Sequence, residues 1–476
     1  LSDLNLAQWA MIAALPKAPS SINPLVNPKR ALIRRNWILQ RMLDLKYIHK
    51  EQFNIAIEAP ISANYYGLVS EVEAPYVAEE VRRYMIQEYG LKAYSEGLEV
   101  YTTISSKFQN HAADALRAGL EDYDKRHGFR EPENIFDLFP ENFFQYSKSE
   151  KIYEAEETLN IESRDLEEKS DLSNVFQYLE TFTENKERFI GVVTNNSKDL
   201  EVLTKYGNLI DIKWNEDLKW ARPYISENRR GARPRSFLDI IKLGDLVWLS
   251  KDSITKTISL TQIPEAQSAL ISIDPKSGSI LASVGGYDFF LSKFNRVEQA
   301  SPLLGSNFKP FLYAAAFSNG FTPSSLINDA PIIFEDEALE EKWRPRNASG
   351  KFYGPTRLRE GLLQSRNLVS VRLLRELGVD KVRSFAEKFG FDKQRLPADL
   401  SLSLGTASLN PLSNAVAYSV FANEGKKVEP YLISKILDRS GEVLFEKKIQ
   451  DSKQVIDPRI AFLINDILKE ATVRGT

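Results

Sequence analysis

At 476 residues, with 62 basic and 65 acidic side chains and a formal charge of -3, the chain is long enough for several domains and exerts no global pull toward nucleic acid or anionic lipid. The absence of cysteine excludes disulfides, thiolate nucleophiles and cysteine metal sites. Three histidines, His49, His111 and His127, all lie in the first third without helical ligand spacing, so no metal site is expected and chemistry further along needs another base.

From Leu4 to about Ala59 the pattern is helical. Its longest apolar run, Leu6 to Leu15, is far short of the roughly 20 residues that a membrane span needs, and Pro16 stops it. The chain lacks an initiating Met and starts inside a helical segment, as a piece of a longer protein would. Asn27 and Pro28 read as the cap and first residue of a helix. That helix has Leu32, Leu39, Met42 and Leu43 on one face, with Arg30, Arg34, Arg35 and Arg41 on the other, read as a solvated face.

A further helix stops at Gly90, Leu98 to Ile104 reads as a strand, and Gln109 to Leu120 as a helix. From about Arg130 to Lys186 the text turns acidic and aromatic, which fits either an inserted helical subdomain or an extended excursion. Between Phe189 and about Thr261 five β-rich runs (FIGVVT, LEVLT, LIDIKW, DLVWLS, TISLT) separated by polar turns predict a small barrel or sandwich. The basic stretch from Glu227 to Arg235 has no repeated aromatic stacking positions flanking it, so a mobile loop is preferred to a nucleic-acid site. From Ser268 onward a hairpin turning at Asp274 to Gly278, a block of helices and a second hairpin around Asp438 to Gly441 predict an α+β domain with an antiparallel sheet.

Ser-x-x-Lys occurs at Ser253 to Lys256 and at Ser306 to Lys309, about as often as chance allows. Ser253 lies in a β-rich run, whereas Ser306 follows Gly305 and precedes a strongly apolar helix. One turn along such a helix Lys309 can reach the serine hydroxyl, and in a dry pocket its neutral amine can take the proton. On these four residues alone a plain helix cap beside a surface charge is the favoured reading. Ser-x-Asn, a hydroxyl and an amide suited to relaying a proton and holding a peptide, follows Ser306 twice, at Ser365 and Ser408. Ser365-Arg366-Asn367 falls between two helical runs and is preferred; Ser408-Leu409-Asn410 precedes Pro411 and looks like turn and cap chemistry.

The text around Ser306-Asn307-Phe308-Lys309-Pro310-Phe311, with GFTPSSLINDAP, WRPRN, FYGPTRLREGLLQSRN and YSVFANEG after it, resembles the transpeptidase domain of bifunctional class A penicillin-binding proteins, close to the 1A type of Gram-negative bacteria. Upstream, LPKAPS and the arginine-rich helix resemble the end of that family's glycosyltransferase domain, and GLEVYTTI its linker strand. The resemblance implies a multidomain α+β protein: a helical glycosyltransferase remnant (1–60), a linker region (61–130), an acidic insert (131–186), an OB-like β-barrel domain (187–265) and an incomplete transpeptidase domain (266–476). Carried over, it makes Ser306 the acyl-ester nucleophile, Lys309 its base, Ser365 a proton relay and Asn367 a substrate-holding amide, with no metal or organic cofactor.

By the same resemblance the substrates are D-alanyl-D-alanine stem peptides, with β-lactams acylating the same serine. Lipid II and a membrane anchor belong to a longer parent on the periplasmic side of the bacterial inner membrane. No nucleic acid is expected, and the β-rich domain is a place for outer-membrane or cell-wall regulators to dock. The family's Lys-Thr/Ser-Gly element is not found after Ser365; the one literal match, Lys276-Ser277-Gly278, precedes Ser306 in a hairpin turn and is set aside. The glutamate used by the family for glycosyl transfer also lies upstream of the first residue. A D,D-carboxypeptidase or β-lactamase-like hydrolase, and a non-catalytic cell-wall scaffold, are the alternatives.

Overall fold

The structure is a computed structural model that describes residues 4–19, 21–64, 70–138, 170–184, 187–196, 199–252, 255–332, 343–448 and 452–475. Most of the acidic insert and the serine of the first Ser-x-x-Lys copy, Ser253, lie outside the described residues. The chain divides into two units, one from residues up to 71 with 125–263, the other from 72–124 with 264–476.

In the first unit the helices Leu6–Ala14, Pro28–Asp44 and Lys50–Glu58 pack around Leu39, Ile48 and Phe53. Asn5 opens the first of them with a reciprocal capping box to Gln8, both bonds 2.9 Å. Asn27 occupies the cap position of the second without a side-chain bond, leaving Pro28 as its start signal. Arg35 departs from the expected solvated face. It is 2 % exposed and donates to the carbonyls of Ile57 at 2.9 Å and Ala59 at 2.6 Å, the orphan acceptors at the end of Lys50–Glu58. One guanidinium thus closes a neighbouring helix, which is why this arginine is buried and not solvated.

All five β-rich runs are strands of one antiparallel sheet: Arg188–Asn196, Leu200–Thr204, Leu209–Ile212, Leu246–Lys251 and Ile258–Thr261, with Arg188–Asn196 at its centre. Alternation is clean. Val193, Val247 and Leu249 face a core with Phe237 and Leu260, while Ile190, Val192 and Leu246 face Ile135, Val175 and Leu179 on the other side. The basic stretch is not wholly loop, because Tyr224–Ser226 and Arg229–Arg230 pair as a short hairpin.

In the second unit Leu270–Ile273 pairs with Ile280–Val284, and Glu99–Thr102 lies against Ile433–Leu437, which also pairs with Val443–Glu446. The helix Lys309–Ser318 runs through the middle of a helical core, with every residue from Lys309 to Phe317 buried. Leu363, Val369, Leu373, Phe389, Phe421 and Ile464 belong to the same apolar cluster. A helix apolar on every side needs partners on every side. One of them, Pro458–Arg474, lies in a stretch not assigned from the pattern of the sequence.

Candidate active site

Ser306 lies in a tight 3-10 turn, Gly305–Phe308, that leads directly into Lys309–Ser318. The turn is fixed mainly by backbone: Leu304 N donates to Ala407 O at 2.8 Å and Gly305 N to Gly405 O at 2.9 Å, and Tyr418 Oη adds a bond to Asn307 O at 2.9 Å. Gly405 has φ +76°, and a Cβ there would fall 1.7 Å from Gly305 O, so only glycine allows the approach. The result is an exposed serine on a buried base, with Lys309 only 1 % exposed.

Lys309 does not bond Ser306 directly. Its Nζ donates to Ser365 O at 2.7 Å, Ser365 Oγ at 2.9 Å and Asn367 Oδ1 at 2.7 Å, and Ser365 Oγ donates in turn to Ser306 Oγ at 3.0 Å. In the eclipsed geometry of a 3-10 turn, Ser306 and Lys309 share one side of the chain, and the Ser365 hydroxyl occupies the space between them. Three donors matched to three acceptors describe an ammonium. Burial pulls its pKa down from 10.5 to about 8, and among the described residues no carboxylate touches it. Once it is neutral, the chain of two hydroxyls and one amine can pass a proton from Ser306 to Lys309.

Ser365 is placed by the end of the helix Leu358–Leu363. Ser365 N donates to Leu362 O at 3.0 Å and Arg366 N to Gly361 O at 2.8 Å, the two bonds of a Schellman motif, and Ser365 itself has φ +50°. Glycine usually fills that left-handed position, so a serine there stores about 1–3 kcal/mol of strain in return for a hydroxyl at this point. Asn367 begins the next helix, Asn367–Leu377, and its Nδ2 donates to Arg346 O at 2.9 Å. The structure therefore brings together all four predicted residues, Ser306, Lys309, Ser365 and Asn367.

The rival motifs lie in turns. Asn410 accepts from Ser413 N at 2.7 Å and caps the helix Pro411–Ala422, while Ser277 donates to Asp274 at 2.6 Å inside the hairpin turn. Sequence reasoning did not single out Asn347, whose Oδ1 accepts from Asn367 N at 2.9 Å, or the buried Asp329 behind it. Both stand inside the family text quoted above, but their partners lie about 20 residues away and leave no local periodic signal.

Comparison with known proteins identifies the family of the chain. Family models match residues 269–476 as a penicillin-binding protein transpeptidase domain, 155–266 as a penicillin-binding protein OB-like domain and 1–43 as a transglycosylase. The chain is 44 % identical to penicillin-binding protein 1A of Pseudomonas aeruginosa and 38 % to that of Escherichia coli, in each case over 94 % of its own length and 50 % and 49 % of the relative. It thus spans about half the length of the curated relatives it matches. The crystal structure of penicillin-binding protein 1A from Haemophilus influenzae superposes with a TM-score of 0.73 at 33 % identity, covering 100 % of this chain and 69 % of that one. The chain belongs to the penicillin-binding protein 1A family of class A penicillin-binding proteins.

Proposed function

We propose that the chain carries the acyl-transfer machinery of a peptidoglycan synthase, a serine D,D-transpeptidase that cross-links stem peptides. The hydrogen-bonded series Ser306, Ser365, Lys309, ending on a buried amine with its pKa near 8, is the observation that carries the reading. Ser306 Oγ attacks the carbonyl carbon of the penultimate D-alanine; its proton passes through Ser365 Oγ to neutral Lys309. The tetrahedral adduct expels the terminal D-alanine, whose amine takes the proton back along the same series, leaving an ester on Ser306. An amine of a neighbouring stem peptide then attacks the ester, and the returning proton restores the serine. Asn367, tied to Lys309 through Oδ1, holds the substrate backbone beside this path.

The same reading extends to the whole protein: glycan polymerisation from lipid II, an anchor in the bacterial inner membrane, a periplasmic catalytic face, and regulators docking on the OB-like domain. Among the described residues no helix is long and apolar enough to cross a membrane. The division into 1–60, 61–130, 131–186, 187–265 and 266–476 belongs to this proposal. It is supported by the matches to transglycosylase, OB-like and transpeptidase models, the second of which already starts at 155.

Incubation with a fluorescent penicillin followed by peptide mapping tests the assignment. One covalent adduct, on Ser306, is expected in the wild type and none in Ser306→Ala. An unlabelled wild type, or equal labelling of the alanine variant, removes the nucleophile from the proposal.

A further inference from the structure

A second polar chain runs away from Ser306 behind Asn367. The first N–H groups of the helix Asn367–Leu377 have no acceptor within the helix. Two of them are met by one side chain: Asn347 Oδ1 accepts from Asn367 N at 2.9 Å and from Leu368 N at 3.3 Å. On its other side Asn347 Nδ2 lies 2.8 and 3.0 Å from the two carboxylate oxygens of Asp329, and 2.8 Å from Lys351 O. Asn347 is 5 % exposed and Asp329 0 %. Among the described residues no cation and no other donor reaches that carboxylate.

A buried polar side chain is costly unless hydrogen-bonded, and among the described residues Asn347 Nδ2 is the donor that meets the Asp329 side chain. Both carboxylate oxygens face Asn347 Nδ2, and together with Lys351 O they fix the amide with its NH2 group toward Asp329 and its oxygen toward the helix. Turned the other way, the amide would set its own N–H bonds against two backbone N–H groups and a carboxylate against a carbonyl oxygen.

We infer that Asp329 and Asn347 are positioning residues for the acyl-transfer site: the carboxylate sets the sense of the amide, the amide caps Asn367–Leu377, and the capped helix holds Asn367 Oδ1 on Lys309. This inference rests on the proposed transpeptidase reading and adds to it a support that reaches the base from behind. Two consequences follow for Lys309. Its ammonium has three acceptors, Ser365 O, Ser365 Oγ and Asn367 Oδ1, and no charged side chain among the described residues bonds to it. Freeing Asn367 removes an acceptor that the charged ammonium binds more strongly than the neutral amine does, so the midpoint of Lys309 falls. The Ser365 hydroxyl, two residues from Asn367, loses its register with Ser306 at the same time.

The test follows penicillin acylation of the protein from about pH 6 to about pH 10, a range that brackets the Lys309 midpoint near 8. Asn347→Ala is expected to acylate about 10²-fold more slowly, the scale of a misplaced reacting group, with the acid limb of the profile moved to lower pH. Asp329→Asn moves both in the same direction by less, because an amide oxygen can still accept from Asn347. The reciprocal exchange, Asp329→Asn with Asn347→Asp, re-forms the pair with carboxylate and amide exchanged and keeps an oxygen on the helix N–H groups. It recovers about tenfold or more over Asn347→Ala, as coupled neighbours do.

A variant that merely folds less well lowers the labelled fraction at every pH and leaves the limb where it is. Wild-type rates in the single variants, or slower rates with an unmoved limb and no recovery in the exchange, overturn the inference. Titration of Lys309 followed by NMR of labelled lysine needs no acylation and separates the two claims. A midpoint that Asn347→Ala leaves in place overturns the positioning role. A wild type that shows the displaced midpoint yet never labels overturns the transpeptidase reading alone.

Discussion

Ser365 Oγ stands 3.0 Å from Ser306 Oγ and donates to it, so that the hydroxyl of one serine is the only hydrogen-bonded route, among the described residues, between the other serine and Lys309. Ser365 holds that place in a left-handed conformation, φ +50°. Ser365→Ala keeps the backbone strain and loses the hydroxyl; Ser365→Gly relaxes the strain and loses it too. Both are expected to slow penicillin acylation about 10²–10⁴-fold, while thermal melts rank the glycine variant above the alanine variant by about 1 kcal/mol. Near-native acylation in either one would show that protons leave Ser306 by another path.

On the proposed reading, the pH dependence of acylation is expected to follow Lys309. Its pKa is pulled down to about 8 by burial, and only the neutral amine accepts a proton. The rate rises with pH through about 8 and levels above it; one unit below the midpoint roughly a tenth of the protein is competent. Lys309→Arg keeps the charge but never becomes a base in this range. Stopped-flow acylation of that variant is therefore expected to be slow at every pH, without the rise seen in the wild type.

The contrast between these two residues shows what was legible in the chain. Ser306 and Lys309 sit on one local turn, so motif and context found them. The five β-rich runs between Phe189 and Thr261 declared themselves because one sheet has apolar cores on both faces, which leaves short continuous apolar runs between polar turns. The proton path was legible only in part: Ser365 was preferred as a relay, but that Lys309 reaches Ser306 only through it was not, because the acceptors of Lys309 come from 56 and 58 residues downstream and the conformation of Ser365 is set by a helix end that no periodicity marks. Arg35 was misread for a related reason. Its acceptors are carbonyls 22 and 24 residues ahead, which turn a surface arginine into an internal cap.

Gly405 is expected to tolerate no side chain. A Cβ there overlaps Gly305 O at 1.7 Å, on the turn that carries Ser306. Gly320 is the control, since it shares a positive φ of +92° but has nothing within 4 Å of its Cβ position. Gly320→Ala costs about 1 kcal/mol of strain and leaves acylation alone. Gly405→Ala displaces the turn and abolishes labelling even where circular dichroism stays native; a labelled Gly405→Ala protein would mean that the turn is not needed to present the serine.

Arg35→Ala strips the donors from Ile57 O and Ala59 O and leaves a cavity beside the helices of the first unit. The expected cost is about 1–3 kcal/mol, the desolvation penalty of orphaned buried carbonyls, on top of lost packing. Hydrogen exchange locates the effect at Lys50–Glu58. Arg35→Lys recovers part of it at most, because a single ammonium cannot span two carbonyls with the rigid fork of a guanidinium.

A second titrating group of this chain should act on stability and not on chemistry. Glu80, on the helix Pro75–Tyr89, is pushed up from 4.5 to about 8, first by burial and then by the neighbouring carboxylate of Glu298, with which it shares a hydrogen bond; Arg83 opposes the shift. Folded Glu80 therefore keeps its proton in a range where the unfolded side chain has released it, and folding takes up a proton between about pH 4.5 and about 8. Stability is greatest at the acid end of that window and falls as pH rises through it, by a few kcal/mol at most. Glu80→Gln holds the hydrogen bond to Glu298 without a titrating proton, so its melting temperature should exceed that of the wild type near pH 8 and change much less between pH 5 and 8, values that bracket the titration. If wild type and Glu80→Gln lose stability in parallel over that window, the shared proton is not what sets the slope.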